Sequence, residues 1–479
     1  MMTSELTDNM DAFAMAAEGA MLSESGDTAG ALTRFRAAVE MSPSTLSLHL
    51  ILANAETLAG DVLGARATLR RALRVAARPD VATDFVLGRA LVETGAGADA
   101  VPCFRRARIE RPNDAAAAAA LAAALRDAHA PDAAWVEIRH ARSLTPDDPV
   151  VLLTAAMIRH DLADHHGALA LCQRSLTLRP DSAAARLTRC YLHHLLGDSL
   201  AAWRDFEARA LPEPHDDARR WQGESLAGST IAILGEQGVG DQFHFLRFVL
   251  HPAFHDASRV LVTCEPDAVT LLRAAGFDAV PRNAEIETDF YVPLLSLPLL
   301  LGVDADWLPS TGSAAYLSVP DAVAIEHVRP RRVGVVWAGN PAHRNDAARS
   351  ISSALLDGLL HRHPDVRFVC MQHDVAPAAM PSGPWETNAA GDWLETARQL
   401  CTLDLLITVD TGIAHLAAAL GVRTWILLPH VSDWRWGVSG STTPWYPSVR
   451  LFRQPARGDW ARVLTNVSAA LSGAALAPV

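Results

Sequence analysis

The chain has 479 residues, carries a formal net charge of −12, and half of its residues are apolar. This length predicts about three domains, and the acidic balance without a basic patch argues against a nucleic-acid partner. No apolar run reaches the length of about 18 residues that a membrane span needs, and residues 1–11 lack the features of a signal peptide. The six scattered cysteines form no CxxC pair, which argues against structural zinc and disulfides. We therefore expect a cytoplasmic protein without a transmembrane segment.

The first half of the chain contains a repeat with a period near 34 residues. Prolines follow its helical stretches at intervals of 32 to 36 residues: Pro43, Pro79, Pro112, Pro146, Pro180 and Pro212. Turn signals such as Gly26-Asp27, Gly60-Asp61 and Gly197-Asp198 lie midway between these prolines. Two helices closed by a proline at this period resemble the tetratricopeptide repeat (TPR). The resemblance implies about six units over residues 10–212.

Single units of this kind cannot bury their apolar faces, so they stack into an α-solenoid with a concave surface. The sequence leaves two roles open for the solenoid. It could bind a protein partner in its groove, or it could serve as a rigid spacer or oligomerisation arm.

The second half alternates short apolar runs with helical segments. After a linker at residues 211–225, the apolar runs that predict buried strands are 230–234, 259–263, 290–295, 332–337, 366–371, 405–409 and 424–428. The predicted helices are 243–250, 267–275, 353–361, 393–402, 413–420 and 460–471. This alternation predicts parallel sheets. A break at residues 309–330 separates two Rossmann-like halves, 225–320 and 331–479, with a cleft between them, so the predicted fold class is α + α/β multidomain.

The loop after the first predicted strand, residues 235–241, is rich in glycine. Gly238 and Gly240 have no Cβ atoms, which allows a ligand to approach the backbone closely. Asp241 is expected at the start of the next helix, facing the cleft. It either acts on a ligand there or caps the helix.

A polar segment follows the first strand of the second half. Gly339 and Asn340 end that strand, and Arg344, Asn345 and Arg349 come soon after. The arginines suit bidentate contact with phosphate oxygens, although a solvated loop explains the same residues. Asp304 and Asp306 have the spacing of a metal-binding DxD motif, but no strand leads directly into them, and we predict no metal site.

Residues 410–415 form a polar turn between a predicted strand and a predicted helix. Thr411 and Gly412 lie where the helix begins, so their free N–H groups and the helix dipole favour an anion. A phosphate site and an ordinary turn capped by Asp410 both fit this pattern. Further along, Trp434 and Trp436 offer aromatic faces for a base or a sugar, as do Trp445 and Tyr446; the alternative is a packed cap over the sheet.

Three stretches together resemble the heptosyltransferase-type glycosyltransferases, which have the GT-B fold: residues 236–241, 335–340 with 343–350 and, above all, 410–421. Their combination with a TPR array resembles a subgroup of protein glycosyltransferases, some of which modify bacterial flagellin. The resemblance implies a nucleotide-sugar co-substrate, no other cofactor and an inverting mechanism without a metal. It implies Asp241 as the general base, with Thr411, Gly412 and His415 on the donor phosphates. The full predicted donor-binding set is Gly238, Gly240, Gly339, Asn340, Arg344, Asn345, Asp410, Thr411, Gly412, His415, Trp434 and Trp436.

The chain departs from that family in two ways. Its first Rossmann-like half is short, so the repeats are expected to supply part of the acceptor site, and basic residues are sparse in the glycine loop. Both departures favour a protein acceptor, with flagellin Ser/Thr as a candidate, over lipopolysaccharide. The alternatives are a TPR interaction scaffold with an inactive transferase domain and a lipopolysaccharide heptosyltransferase. The sequence does not specify the sugar or the nucleotide.

Overall fold

The computed structural model describes residues 2–75, 81–212, 218–303, 315–320, 331–341, 343, 345–373, 380–383, 385–386 and 391–473. The chain divides into two compact units, Met1–Asp181 and Ser182–Val479. Arg344, Asp304 and Asp306 lie outside the described residues.

The first unit is a helical repeat, as the sequence predicts. Its helices are α1 (Met2–Glu24), α2 (Thr28–Met41), α3 (Leu46–Leu58), α4 (Val62–Val75), α5 (Val81–Glu93), α6 (Val101–Glu110), α7 (Ala115–Asp127), α8 (Pro131–Leu144), α9 (Pro149–Asp161) and α10 (His165–Leu178). They pack as consecutive pairs, α1 with α2 through α9 with α10. A sixth pair, α11 (Ala183–Leu196) and α12 (Ser199–Phe206), belongs to the second unit.

A buried alanine marks each repeat. These alanines are at most 2% exposed and recur every 34 or 35 residues: Ala31, Ala65, Ala100, Ala134, Ala168 and Ala202. A small side chain lets two helices approach closely at that position. Aspartates such as Asp27, Asp148 and Asp198 cap the following helices by accepting backbone N–H groups. The repeat therefore has a regular packing position in addition to its prolines.

The second unit contains two parallel sheets. The first has strands β1 (Arg219–Arg220), β2 (Thr230–Leu234), β3 (Arg259–Cys264), β4 (Asp278–Pro281) and β5 (Phe290–Pro293) in the order β1-β5-β2-β3-β4. Its helices are α13 (Val239–Phe245), α14 (Val269–Ala274) and α15 (Leu297–Leu300). Helix α13 begins four residues earlier than predicted. Strands β3 and β5 lie on opposite sides of β2, so the loop after β2 lies at a topological switch point.

The second sheet has strands β6 (Arg331–Val336), β7 (Val366–Cys370), β8 (Trp385–Glu386), β9 (Leu405–Val409), β10 (Thr424–Leu428) and β11 (Val449–Arg453), in the order β11-β10-β9-β6-β7-β8. Its helices are α16 (Asp346–Arg349), α17 (Ser353–Arg362), α18 (Trp393–Leu400), α19 (Gly412–Ala419) and α20 (Trp460–Gly473). Neighbouring strands pair in parallel in both sheets. The switch point lies between β6 and β9, whose loops carry Gly339 and Asp410.

One apolar cluster includes residues from both sheets of the second unit, among them Ile231 and Val292 from the first and Leu406 and Ile426 from the second. Strands β9 and β10 are buried along their whole length, as expected for strands covered on both faces. Across the part of the chain that the structure describes, no helix combines the length and apolarity needed to cross a membrane.

Candidate functional site

The two predicted ligand-binding turns meet directly. Helix α13 packs against α19, and the contact is made by Gly240 and Gly412. A Cβ atom on Gly240 would lie 3.0 Å from the Cα of Gly412 and 3.3 Å from Cδ2 of His415. Glycine at position 240 therefore allows the loop of the first sheet to reach the turn of the second. Gly238, Gly240, Asp241, Asp410, Gly412 and His415 are gathered at this contact.

Asp241 is the third residue of α13, and its side chain is 26% exposed. One carboxylate oxygen accepts the backbone N–H of Gly238 at 3.2 Å, so the aspartate caps its own helix as the alternative reading predicts. The other oxygen accepts a hydrogen bond from Nη2 of Arg435 at 2.7 Å. Asp241 is thus held at both oxygens while part of it stays exposed.

Arg435 is a candidate site residue that was not predicted from the sequence. Its side chain is buried and donates to Asp433 at 3.0 Å as well as to Asp241. Burial alone lowers the pKa of Arg435, but the carboxylates of Asp433, Asp241 and Asp410 outweigh that effect and raise the pKa. The only signal in the sequence was a basic residue within the Trp434–Trp436 stretch, just beyond β10.

Asp410 is a further carboxyl group near Arg435. Burial and the nearby charge of Asp433 raise the pKa of Asp410 to about 6. Its side chain is 19% exposed, and Oδ1 lies 3.8 Å from Nε2 of His415. The backbone carbonyl of Asp410 accepts a hydrogen bond from Arg349 at 2.9 Å. Near neutral pH this carboxyl group can gain or lose a proton.

His415 lies in a buried polar network behind the turn. The hydroxyl of Tyr446 is 3.0 Å from Nδ1 of His415 and 2.8 Å from Nδ1 of His244. Burial, together with Arg435 and Arg247, lowers the pKa of His415 well below its usual value. Burial and the same two arginines also lower the pKa of His244. Both rings are therefore neutral at physiological pH.

Thr411 is the N-cap of α19 and has extended backbone angles. Its hydroxyl lies 3.3 Å from that of Thr408. The first N–H groups of a helix have no partner within the helix, so the start of α19, beside Asp241, is a local positive pole. The start of α19 thus lies next to a carboxylate, and an anion-binding role for this turn stays a prediction.

The loop after β6 lies beside this turn. The N–H of Gly339 donates to the hydroxyl of Ser350 at 3.0 Å, and a Cβ atom at Gly339 would collide with Arg349 and Asp346. Arg349 pairs with Asp346 at 3.3 Å in addition to its bond to Asp410, so it joins the loops after β6 and β9. The predicted site residues Asn340 and Asn345 are exposed on this loop.

The aromatic residues after β10 have protein neighbours in this structure. Trp434 and Trp436 are buried. The Trp436 ring stacks on His415 with centroids 5.3 Å apart, and the Trp434 ring stacks on His194 at 4.1 Å. Trp445 and Tyr446 are also buried. These contacts fit the packed cap more closely than an open stacking surface; a donor-binding role for Trp434 and Trp436 stays a prediction.

The glycine loop is anchored by a buried ion pair. Nε and Nη2 of Arg209 each donate to Glu236 at 2.7 Å, and Glu236 also accepts the N–H of Leu295 at 2.9 Å. Both side chains are buried. Gln237, the next residue, has a φ of 56°, an uncommon conformation for a non-glycine residue. Glu236 therefore fixes the shape of the loop that carries Asp241.

A cavity of about 440 Å³ lies beside the same loop. It is at the carboxyl ends of β2 and β3, and its lining includes Gly235, Thr263, Glu265, Arg282 and Asn283. Arg282 pairs with Glu265 at 3.0 Å and donates to the carbonyl of Gln237 at 2.8 Å. In open sheets of this kind, ligands usually bind at the carboxyl ends of the parallel strands. Within the described ranges, no three His, Cys, Asp or Glu side chains are grouped to hold a metal ion.

No family model matches the chain. Protein FlbA of Caulobacter vibrioides is 25% identical to it over 316 residues. That match covers 56% of this chain and 52% of FlbA, so the chain spans about half the length of this curated relative.

Solved helical proteins match parts of the chain. YrrB, described as a TPR protein with an unusual peptide-binding site, is 19% identical and covers 36% of this chain and 88% of its own, with a TM-score of 0.29. A TPR protein from Parabacteroides merdae is 14% identical over 41% of this chain and 78% of its own, with a TM-score of 0.34. MamA from Desulfovibrio magneticus is 15% identical, and the match covers 36% of this chain and 96% of MamA, with a TM-score of 0.29.

Proposed function

We propose that the protein is a glycosyltransferase of GT-B type that moves a sugar from a nucleotide-activated donor to a hydroxyl group of a protein. The observation that carries the proposal is the contact between Gly240 and Gly412, which brings Asp241 beside the start of α19. A carboxylate and an anion-binding turn next to each other are what an inverting displacement needs. The two Rossmann-like halves of the resemblance would then correspond to the two parallel sheets.

The reaction would proceed in one step. The acceptor hydroxyl loses its proton to Asp241 as its oxygen bonds to the anomeric carbon. The bond between that carbon and the donor phosphate breaks, and the nucleotide leaves with the electron pair. The N–H groups of Gly412 and its neighbours stabilise the negative charge on the phosphate, which is the part a metal ion plays in other transferases.

The charges around the turn set a condition for donor binding. Asp241, Asp410 and Asp433 surround Arg435 and would repel a phosphate if all three were ionised. Because the pKa of Asp410 is raised to about 6, the carboxyl group can be protonated near neutral pH at a modest cost in free energy when an anion binds. Protonation of Asp410 would offset part of that repulsion.

The acceptor is proposed to be a protein held by the helical repeats, with flagellin as one candidate. The repeats support a protein partner because their stacked helices form an extended surface. The cavity lined by Gly235, which begins the loop that carries Asp241, would receive the acceptor segment, since its lining offers both hydrogen-bonding and apolar groups.

A scaffold function is the second candidate. It is favoured by the hydrogen bond from Arg435, which occupies one oxygen of Asp241, and by the burial of Trp434 and Trp436. Under this reading the repeats bind a protein and the sheets perform no chemistry.

Calorimetric titration with UDP-, GDP-, ADP- and CMP-sugars separates the two functions. We expect one donor class to bind in the presence of EDTA, and Asp241→Asn to keep its dissociation constant within about threefold. Nucleotide release in the presence of a flagellin acceptor should then require Asp241. Failure of all four classes to bind would favour the scaffold, whereas transfer to a lipid and not to a protein would favour the lipopolysaccharide enzyme.

A further inference from the structure

The last helical pair, α11 and α12, packs against the segment that carries Arg435. The ring of His194 in α11 stacks on Trp434 with centroids 4.1 Å apart and an interplanar angle of 20°. Trp203 in α12 meets the same indole edge-on at 5.7 Å. The hydroxyl of Tyr191 donates to the carbonyl of Ser432 at 3.2 Å. The segment before Arg435 is thus held by side chains from both helices of this pair.

Trp434 connects that packing to the charged cluster. The guanidinium of Arg435 lies over the Trp434 ring at 4.4 Å, so the indole has His194 and Arg435 as close neighbours. Burial and the charge of Arg435 lower the pKa of His194 to about 3, so the imidazole is neutral beside the cation. From Arg435 the contact continues through the 2.7 Å hydrogen bond to Asp241.

A second connection starts just after α12. Arg209 donates twice to Glu236, at 2.7 Å each, and Glu236 lies five residues before Asp241. The Arg282 side chain donates to the carbonyl of Gln237, the residue with positive φ. The glycine loop is therefore anchored on one side by Arg209 and on the other by Arg282, and the positive φ is maintained by its surroundings.

We propose that Arg435 is a positioning residue for Asp241, and that the α11–α12 pair keeps Arg435 in place through the stack of His194 on Trp434. This inference rests on the proposed glycosyltransferase function and deepens it. The pair belongs by sequence period to the helical repeat, yet its side chains serve the candidate base rather than acceptor capture. A guanidinium on a rigid indole holds one carboxylate oxygen, and the other oxygen is held by Gly238, so the orientation of the carboxylate is fixed.

Variants of His194 in the full-length protein test the stack. We expect His194→Ala to lower kcat about tenfold, because the carboxylate loses its fixed orientation, while the KM for donor and acceptor stays within about threefold. His194→Phe restores the flat ring and should recover kcat to within about twofold of wild type. His193→Ala is the matched control: it is next to His194 on α11, but its ring pairs with Asp198 at 3.3 Å.

Arg435 is tested in the same assay. Arg435→Gln should lower kcat more than His194→Ala does, and Arg435→Lys should recover part of the loss. The proposal is overturned if His194→Ala or Arg435→Gln keeps the wild-type kcat, or if His193→Ala lowers kcat as much as His194→Ala. All rates refer to the folded fraction of each variant, which separates positioning from simple unfolding.

Crystal structures of the His194→Ala and His193→Ala variants provide a readout that does not need activity. The contact between Arg435 and Asp241 should exceed 3.5 Å in the first, beyond hydrogen-bonding distance, and stay near 2.7 Å in the second. An unchanged contact in His194→Ala would overturn the positioning role even if the wild-type protein transfers sugar. If the wild-type protein binds no donor, the proposed function is wrong. The distance between Arg435 and Asp241 in the two variants still tests the positioning role in that case.

Discussion

Gly240 and Gly412 face each other where α13 meets α19, and a Cβ atom on Gly240 would lie 3.0 Å from the Cα of Gly412. Such a distance is tighter than side-chain carbons normally reach, so the backbone would have to move. Because each glycine belongs to a helix that starts at the carboxyl edge of its own sheet, this single contact brings the two turns of the site together.

Gly240→Ala tests that contact. We expect the free energy of unfolding to fall by about 1–3 kcal/mol, since the added methyl group overpacks the helix contact. The turns should also separate, so transfer activity should fall by more than the loss of folded protein explains. Gly358→Ala is the control: in helix α17 its Cβ would approach the described residues no closer than 3.6 Å, at Arg362, and alanine should stabilise the helix by up to about 1 kcal/mol. Equal effects of the two substitutions on activity would contradict the account.

The pair of Arg209 and Glu236 predicts a large stability effect. Glu236→Gln removes the bidentate carboxylate from the buried Arg209 guanidinium, which keeps its contact with Glu207 at 2.9 Å, and a loss of up to about 3–5 kcal/mol is expected from breaking one side of such a pair. The double variant Arg209→Met with Glu236→Met should cost less than the two single changes together, since it removes the Arg209 charge together with that of Glu236. Urea denaturation of Arg209→Met, Glu236→Met and the double variant measures the coupling. Additive losses would mean that the pair does not act as a unit.

Asp410 predicts a pH-dependent stability. Its native pKa is about 6, against an ordinary value of 3.8, and a rise of about two units corresponds to about 3 kcal/mol. A raised native pKa favours the folded state at low pH, and that contribution is lost as the pH rises through about 6. Relative to Asp410→Asn, wild type should therefore lose up to about 3 kcal/mol between pH 4 and pH 7. A difference that does not change with pH would contradict this ionisation.

His244 predicts the opposite sign. Burial, together with Arg247 and Arg435, lowers its native pKa well below 6.5, so the unfolded chain binds a proton at a pH where the native state cannot. Wild type should therefore lose stability through this residue as the pH falls below about 6.5. His244→Gln should lack that component when both proteins are denatured with urea at pH 7.5, 6.0 and 5.0. Parallel stability curves for the two proteins would disprove the assignment.

The sequence predicted much of the fold because its signals are local. Apolar runs located β2, β3, β5, β6, β7, β9 and β10, and the proline period located the helical pairs. Strands β1, β4, β8 and β11, which lie at the edges of the two sheets, were missed. Of these, β1 (Arg219–Arg220) and β8 (Trp385–Glu386) have two residues each and are too short to show a pattern. Helix α13 was placed too late because its first turn, Val239 to Asp241, contains glycine and no apolar stripe.

The site was predicted less completely because its key contacts join distant parts of the chain. Asp241 and Arg435 are 194 positions apart. No repeat or periodic pattern in the sequence links these two positions. Arg435 lies between two tryptophans, whose aromatic faces are the more obvious feature, and only the fold reveals that His194 and His415 stack on them. Arg209 lies at the end of a repeat, where nothing in the local sequence indicates a bond to the glycine loop.

The most direct test of the central claim is the intact mass of a protein acceptor after incubation with the enzyme and a nucleotide-sugar in EDTA. Wild type is expected to add the mass of one or more sugar residues, and Asp241→Asn to do so about 10²–10⁴-fold more slowly, as for loss of a general base. Full turnover by Asp241→Asn, or an unchanged acceptor mass with wild type and every donor class, would contradict the account.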